Sequence, residues 1–318
     1  LYGLHTLMEK ERPDTVFVQG DTTTAAIAAL TAYYGYDYYV RNDAPEGKRH
    51  LINIAHVEAG LRTGDNYAPF PEEVNRKLIG QMATHHFAPT LIAATALYDE
   101  NITANVHITG NTGIDALFDA VSMLQQTPRN PLPQLPLEQQ FVLITGHRRE
   151  NYGDGFLHIC KAIRTLAEQF PHVAFVYPVH PNQHVQGPVK EHLSNVGNIV
   201  LCEPLDYPDF IALMQRCTLV LTDSGGLQEE APSLGKPVLV MRDVTERPDA
   251  VLAGTARMVG TDATKIVANV SELLTNPAAY KKMADAINPY GDGHACQRIL
   301  NIMAGENAAE NMFQPVAA

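Results

Sequence analysis

Polar residues follow five short apolar runs of the kind that form buried β-strands. In chain order they are Asp21 after TVFVQG, Glu58 after IAHV, His147 after VLITG, His180 after VYPV, and Asp223 with Ser224 after LVLT. Ligands of open parallel sheets bind beyond the carboxyl ends of the strands. A single polar residue at such a position is more often a helix N-cap, but five of them indicate a shared site.

Three acidic residues in the first half of the chain could transfer protons. Asp21 lies in GDTTT before an Ala-rich segment, where it could equally cap a helix. Glu58 lies in HVEAGLRTGD with Arg62 close by. Glu72 is the first glutamate of PEEVNR, where an ion pair to Arg76 would explain one of the two glutamates. Clustering and burial raise the pKa values of carboxylates toward neutrality, which suits general acid–base catalysis.

A turn in the second half has the composition of a phosphate-binding loop. Ser224, Gly225 and Gly226 lead from a predicted strand directly into a predicted helix. Glycines let the main chain approach a ligand closely, and the free amides of such a turn favour an anion such as pyrophosphate. Glu230 follows within the helix and could accept hydrogen bonds from a ribose diol, or it could be a buried carboxylate paired with Lys236.

Basic residues at two further strand ends would strengthen anion binding. His147 opens an HRRE segment that includes Arg148, and an ion pair to Glu150 is the alternative to an anion clamp. Arg242 and Arg247 follow another predicted strand, where we expect them on the same rim. Acids in the first half and phosphate-binding features in the second suit a nucleotide diphosphate sugar held in a cleft.

Composition excludes several function classes. The 318 residues carry 23 Lys and Arg against 35 Asp and Glu, a formal net charge of −12 without a basic block, so we expect no nucleic-acid partner. The longest apolar runs, 219–221 and 237–241, are far shorter than the roughly 18 residues that cross a bilayer, so we expect no membrane insertion. Four scattered cysteines without CxxC spacing predict reduced thiols in a cytoplasmic protein without a metal site.

Predicted strands alternate with helical patterns, which indicates βα units and parallel sheets. The first series covers residues 15–19, 51–57, 85–88 and 106–109. The second series covers residues 141–145, 173–178, 199–202, 219–222, 237–241 and 258–260. We therefore predict an α/β fold with two Rossmann-like, doubly wound domains.

The proline-rich, aperiodic segment 128–138 is predicted to link the two domains. It separates an N-terminal domain, 1–127, from a C-terminal domain, 139–292, and a helix and tail occupy 293–318. Four strands are few for a doubly wound domain, and the chain opens in a helical pattern without Met, so we expect the first domain to lack its N-terminal βα units. Residues 33–50 are predicted to form a polar surface loop.

Eight motifs together resemble those of the non-hydrolysing UDP-N-acetylglucosamine 2-epimerases. They are GDTTT, HVEAGLRTGD, PEEVNR, GNTGID, TGHRRE, YPVHPN, LTDSGGLQEEAPSLGKPVLVMRD followed by TERP, and NPYGDG. The similarity extends from about residue 10 to about residue 300, and the long SGGLQEEAPSLGKPVLVMRD stretch makes it highly specific.

The resemblance implies a GT-B fold of two domains in which the final helix returns to the first. It implies reversible conversion of UDP-N-acetylglucosamine into UDP-N-acetylmannosamine, without metal, nicotinamide or other cofactor. The reaction is expected to pass through 2-acetamidoglucal, formed by loss of UDP and of the proton on carbon 2. A dimer is common among such proteins, so we also expect a homodimer.

Carried over by motif, the resemblance assigns roles to residues of both domains. The expected catalytic residues are Asp21, Glu58, Glu72 and His147, with His147 close to the diphosphate. The residues expected to hold UDP are Phe210, Ser224, Gly225, Gly226, Glu230 and Arg247. Arg148 and His180 match positions that, in bacterial members, help to bind a second UDP-N-acetylglucosamine as an activator.

Three alternatives stay open. A hydrolysing epimerase would release free N-acetylmannosamine, and a GT-B glycosyltransferase would share the fold and the ribose contact of Glu230 but not the three acids. An inactive remnant would bind nucleotide sugars only. The sequence also departs from the family: its opening strand and GTRPE-like loop have no counterpart here, and Leu205 stands where many relatives have Gln.

Overall fold

The computed structural model describes residues 2–39 and 52–315, in which strands and helices alternate as predicted. The strands are β1 Thr15–Gln19, β2 Asn53–Val57, β3 His85–Ala88, β4 Val106–Ile108, β5 Phe141–Thr145, β6 Ala174–Pro178, β7 Ile199–Cys202, β8 Leu219–Thr222, β9 Val238–Val240 and β10 Ala256–Met258. The helices are α1 Tyr2–Glu11, α2 Thr23–Tyr39, α3 Glu72–Met82, α4 Leu91–Asp99, α5 Thr112–Gln126, α6 Asp154–Gln169, α7 Gln183–Leu193, α8 Tyr207–Arg216, α9 Leu227–Ser233, α10 Pro248–Ala253, α11 Ala263–Thr275, α12 Pro277–Ala284 and α13 Ala295–Met303.

Contacts divide the chain into two compact units. Unit 1 comprises Leu1–Asp115 and Tyr290–Gln314, and unit 2 comprises Ala116–Pro289 and Pro315–Ala318. The C-terminal helix α13 therefore belongs to unit 1. The domain boundaries placed at residues 127 and 292 stay predictions.

Unit 1 is built on a four-stranded parallel sheet in the order β1, β2, β3, β4. The small side chains of α2, such as Ala29, are buried in one core cluster with Ile54 of β2 and Ile79 of α3. Ile299 of α13 lies in a second cluster with residues of β2 and β3. The carboxylate of Asp115 accepts the first amides of α13, which fixes the start of that helix in the unit.

Unit 2 is built on a six-stranded parallel sheet in the order β10, β9, β8, β5, β6, β7. The winding direction reverses between the adjacent strands β5 and β8, which makes this sheet doubly wound. β8 is buried along its whole length and β5 along most of it, so both read as continuous apolar runs. The parallel α/β architecture predicted from the sequence is confirmed, and the β5/β8 boundary is where such sheets bind ligands.

Two predicted irregular segments contain more order than expected. α2 continues to Tyr39, so the predicted loop at 33–50 is wrong for residues 33–39, while residues 40–51 lie outside the described part. Residues 33–39 are mostly apolar with few polar residues between them, so the helix continues past Tyr33. The segment 128–138 is not a bare linker, because Leu132 and Leu135 are each only 4% exposed.

Among residues 2–39 and 52–315, no helix combines the length and the apolar character needed to span a bilayer. The four cysteines form no disulfide in the described part of the chain; Cys160 and Cys217 are buried and Cys296 is exposed.

Candidate functional site

Asp21 lies just beyond the carboxyl end of β1 and is anchored by α3. Arg76 donates to Asp21 Oδ2 from both Nε (2.9 Å) and Nη2 (2.7 Å), and the Asn75 amide donates to the Asp21 carbonyl oxygen (2.8 Å). Thr22, and not Asp21, caps α2, because its Oγ1 accepts the Ala25 amide at 3.2 Å. The alternative that Asp21 is a helix cap is therefore wrong, which leaves its carboxylate available for another role.

Glu58 lies at the neighbouring strand end with an unusual backbone. Its φ of 65° is in the left-handed region, which non-glycine residues adopt at a cost that is common at functional sites. A Cβ built on Gly20 would lie 3.5 Å from Glu58 Oε2, so this carboxylate lies beside the residue preceding Asp21. Parallel pairing of Gln19 with Val57 brings the two strand ends together.

The two glutamates that open α3 have different surroundings. Glu72 is half-buried, and its Oε2 is shielded from solvent with no hydrogen-bond partner among the described residues. Glu73 is fully buried and pairs with Arg76 at 2.7 Å. The predicted ion pair of Arg76 with Glu72 is therefore wrong: the guanidinium reaches Glu73, three residues earlier, and Asp21.

Arg62, the cation expected close to Glu58, is paired with Glu100. Its Nε and Nη2 bind the two carboxylate oxygens of Glu100, each at 2.8 Å. The close packing of this segment requires Gly60, because a Cβ there would lie 2.1 Å from the Ala93 carbonyl oxygen.

His56 is a residue that the sequence reasoning missed. Its Nε2 lies 2.9 Å from the carbonyl oxygen of Gly20, so the imidazole ties β2 to the turn that carries Asp21. Burial lowers the pKa of His56 to about 4, so the ring is neutral near pH 7 and Nε2 carries the donated proton. The sequence feature that could have identified it is its position in HVEAGLRTGD, two residues before Glu58.

In unit 2, Asp223 organises the HRRE segment across the β5/β8 boundary. Its buried Oδ2 accepts the backbone amides of His147 and Arg148, both at 2.8 Å, and the Asn151 side chain at 3.2 Å. The His147 ring stacks on His180 with centroids 5.1 Å apart. Burial lowers the pKa of His147, while the nearby Asp223 carboxylate opposes that shift.

The turn from β8 to α9 lies against Arg247. The Ser224 amide is held by Thr222 Oγ1 at 2.8 Å, and Gly226 is exposed. A Cβ on Gly225 would lie 2.5 Å from Arg247 Nη1, so only glycine allows this approach. Ser224, Gly225 and Arg247, predicted separately to hold UDP, thus lie together.

Arg247 belongs to a buried network of opposite charges. It binds the carboxylates of Glu229 and Glu246, while Arg242 binds Glu150 (2.6 Å) and Glu246 (2.9 Å). The expectation that Arg242 and Arg247 lie together on the rim is wrong, because Arg242 is 1% exposed and Arg247 is 7% exposed. Glu150, considered as a partner for the HRRE cations, pairs with Arg242. The network holds the Arg247 guanidinium in place.

Glu230 is paired with Tyr207 at the start of α8. The phenol donates to Glu230 Oε1 at 2.9 Å, so the alternative pairing with Lys236 is wrong. Burial raises the pKa of Glu230 to about 7, with a smaller contribution from Glu229 and an opposing one from the Tyr207 hydrogen bond. Phe210 is half-buried one turn further along the same helix.

Within unit 1 the structure brings together Asp21, Glu58 and the start of α3. Within unit 2 it brings together His147, Arg148 and His180. The β8/α9 turn and Arg247 form a separate group in unit 2. The described part of the chain contains no group of three or more His, Cys, Asp or Glu residues arranged to hold a metal ion.

Sequence comparison finds one family along most of the chain. The family described as UDP-N-acetylglucosamine 2-epimerase matches residues 1–304. A protein of that name from Yersinia pestis is 49% identical over 310 residues, which cover 95% of this chain and 78% of the relative. The Escherichia coli K12 protein of the same name is 47% identical over 311 residues, with the same coverage.

Solved structures of similar proteins share the fold. The Neisseria meningitidis UDP-GlcNAc 2-epimerase bound to UDP-GlcNAc is 41% identical with a TM-score of 0.88, covering 96% of this chain and 80% of that one. The Methanocaldococcus jannaschii UDP-GlcNAc 2-epimerase in complex with UDP-GlcNAc and UDP is 32% identical with a TM-score of 0.78, covering 96% and 79%.

Proposed function

This chain belongs to the UDP-N-acetylglucosamine 2-epimerase family, and from that premise we propose that it reversibly converts UDP-N-acetylglucosamine into UDP-N-acetylmannosamine. The observation that carries the proposal is the match over residues 1–304 to a family whose expected acids, Asp21, Glu58 and Glu72, are all present. Two of them stand at adjacent strand ends, and the third begins the helix that anchors Asp21.

The proposed chemistry follows from the position of the proton to be removed. Carbon 2 of the sugar has no adjacent carbonyl, so its proton is weakly acidic. Breaking the bond from carbon 1 to oxygen, with loss of that proton, gives UDP and 2-acetamidoglucal. Protonation of carbon 2 from the opposite face and return of UDP to carbon 1 then give the epimer. Two faces require more than one acid or base, which Asp21, Glu58 and Glu72 can supply.

We assign UDP to unit 2. The Ser224 side chain, the backbone amides of Gly225 and Gly226 and the guanidinium of Arg247 would contact the diphosphate and stabilise the charge that develops on it. The Ser224 amide already donates to Thr222 Oγ1. The Glu230 carboxylate would accept hydrogen bonds from the ribose, and the Phe210 ring would contact the base. His147 would lie close to the diphosphate as a hydrogen-bond donor.

Arg148 and His180 are proposed to bind a second UDP-N-acetylglucosamine as an activator. Arg148 is placed by Asp223, and its buried Nε has no hydrogen-bond partner among the described residues. His180 stacks on His147. This contact would link the proposed activator site to a residue that is expected to take part in catalysis. We also propose a homodimer, whose test is the molar mass in solution.

Incubation with UDP-N-acetylglucosamine in deuterated water tests the function. The expected product is UDP-N-acetylmannosamine with deuterium at carbon 2, and recovered substrate should also carry deuterium because the reaction is reversible. Free N-acetylmannosamine as the main product would support a hydrolysing epimerase. UDP binding without exchange would support a binding protein, and transfer of the sugar to an acceptor would support a glycosyltransferase.

A further inference from the structure

Arg76 binds two carboxylates at once, one from the β1 end and one from its own helix. We propose that Glu73 and Arg76 form a positioning pair that fixes the Asp21 carboxylate for proton transfer at carbon 2. This inference rests on the proposed epimerase function, and it gives the second glutamate of PEEVNR a role different from that of Glu72.

The contacts fix the orientation of the Asp21 carboxylate. Arg76 Nε and Nη2 both donate to Oδ2, at 2.9 and 2.7 Å, and no described residue donates to Oδ1. One oxygen is therefore the anchor and the other is the proton-transfer oxygen. Asn75 holds the Asp21 carbonyl oxygen as well, so the main chain and the side chain are both fixed from α3.

Glu73 in turn fixes Arg76 and the segment that follows Arg62. Its Oε2 accepts Arg76 Nη1 at 2.7 Å and the Thr63 amide at 3.1 Å, and its Oε1 accepts the Gly64 amide at 3.1 Å. The carboxylate is fully buried, and Arg76 is 2% exposed. Burying such a pair gains little stability over apolar residues of similar volume, so a role in specifying geometry accounts for it better.

A second ion pair in unit 1 provides the matched control. Arg62 and Glu100 form a bidentate contact at 2.8 Å, and their side chains are 11% and 26% exposed. In the described part of the chain this pair makes no hydrogen bond to Asp21 or Glu72. Breaking it should disturb packing in the same unit without moving the Asp21 carboxylate.

The first test compares Glu73→Gln and Arg76→Lys with Glu100→Gln. We expect the first two variants to lower kcat by about 10²-fold with a small change in KM, because misplacing a reacting group affects the chemical step. UDP affinity measured by calorimetry should stay unchanged. Glu100→Gln should retain wild-type kcat. Equal losses in all three variants, or wild-type kcat in the first two, would overturn the inference.

The second test separates positioning from folding. Arg76→Met alone leaves the buried Glu73 carboxylate without its counter-ion. The double variant Glu73→Gln with Arg76→Met removes that charge as well, so its Tm should lie above that of Arg76→Met, while kcat stays low. Added guanidinium should partly restore kcat to Arg76→Ala. Recovery of kcat together with Tm in the double variant would show a merely structural role. Absence of UDP-N-acetylmannosamine from the wild-type reaction would instead refute the proposed function.

Discussion

Asp223 and His147 follow the two strands between which the winding of the unit 2 sheet reverses, and the buried carboxylate of Asp223 anchors the main chain of His147 and lies near its ring. Asp223 Oδ2 accepts the His147 backbone amide at 2.8 Å, and Oδ1 lies 3.7 Å from His147 Nδ1. The second distance is too long for a hydrogen bond, so the contact between the carboxylate and the imidazole is electrostatic, and Oδ1 has no hydrogen-bond partner in the described part of the chain. Asp223, a predicted strand-end residue, therefore acts through His147 and Arg148.

Asp223→Asn tests this relationship. The substitution keeps the volume but removes the charge that opposes the burial-induced shift, so the pKa of His147 should fall further below its ordinary value. NMR titration of the imidazole, assigned with His147→Gln, measures the shift. Turnover should also fall by at least about tenfold as the HRRE segment loses its anchor. An unchanged His147 titration would contradict the electrostatic link.

Substitution of the three acids tests their place in the reaction. Asp21→Asn, Glu58→Gln and Glu72→Gln should each lower kcat by at least about 10²-fold, with a smaller effect on KM. Deuterium incorporation at carbon 2 checks the same step directly. Glu168→Gln removes an exposed carboxylate that pairs with Arg164 and serves as the control. Wild-type turnover in all three acid variants would remove them from the mechanism.

The positions of the strands could be predicted because buried parallel strands appear as continuous apolar runs between turn residues. FVLIT and LVLT coincide with β5 and β8, and the polar residues after them do lie together. The predictions that failed concerned which charged residues pair with each other. Arg76 can reach acids three or four residues earlier, and only the packing of α3 beside the β1 end selects Glu73 and Asp21.

The burial of charged side chains could not be predicted from the sequence either. Arg242 follows a strand, as rim cations do, yet the fold buries it with Glu150, which is 92 positions away in sequence, and Glu246, which is 4 positions away. A sequence identifies the charged residues, but it does not show whether oppositely charged side chains lie next to them in the folded chain. The same holds for His56, whose role depends on a carbonyl oxygen 36 positions away.

The raised pKa of Glu230 predicts that nucleotide-sugar binding depends on pH. The ribose hydroxyls donate best to the ionised carboxylate, and burial raises the Glu230 pKa to about 7. Affinity should therefore be highest above pH 7 and fall below it as Glu230 gains a proton. Calorimetry with UDP-N-acetylglucosamine suits this test, because neither phosphate of a diphosphate diester titrates near neutrality. Introducing Glu58→Gln into every protein compared would slow turnover during the measurement.

Two variants separate Glu230 from other titrating groups. Glu230→Gln should weaken binding and abolish its change near pH 7. Tyr207→Phe removes the hydrogen bond that lowers the Glu230 pKa, so the midpoint should move to higher pH. A wild-type midpoint that persists in Glu230→Gln would assign the titration to another group.

Two buried histidines predict acid sensitivity of unit 1. Burial lowers the pKa values of His56 and His86 to about 4, with further lowering of His86 by the neighbouring His85. An unfolded chain protonates these rings near pH 6.5, whereas the folded chain does not until about pH 4. Between those values the unfolded state binds more protons, so stability falls as pH falls, by up to about 1.4 kcal/mol per pH unit for each histidine.

Urea unfolding monitored between pH 7 and pH 4.5 measures this slope. His56→Gln keeps a donor for the Gly20 carbonyl oxygen but cannot titrate, so the free energy of unfolding should depend less steeply on pH than in the wild type. The exposed His172→Gln is the control and should leave the slope unchanged. A slope that is equally steep in His56→Gln would mean that the acid sensitivity arises elsewhere, because only a group whose proton affinity changes on unfolding contributes to it.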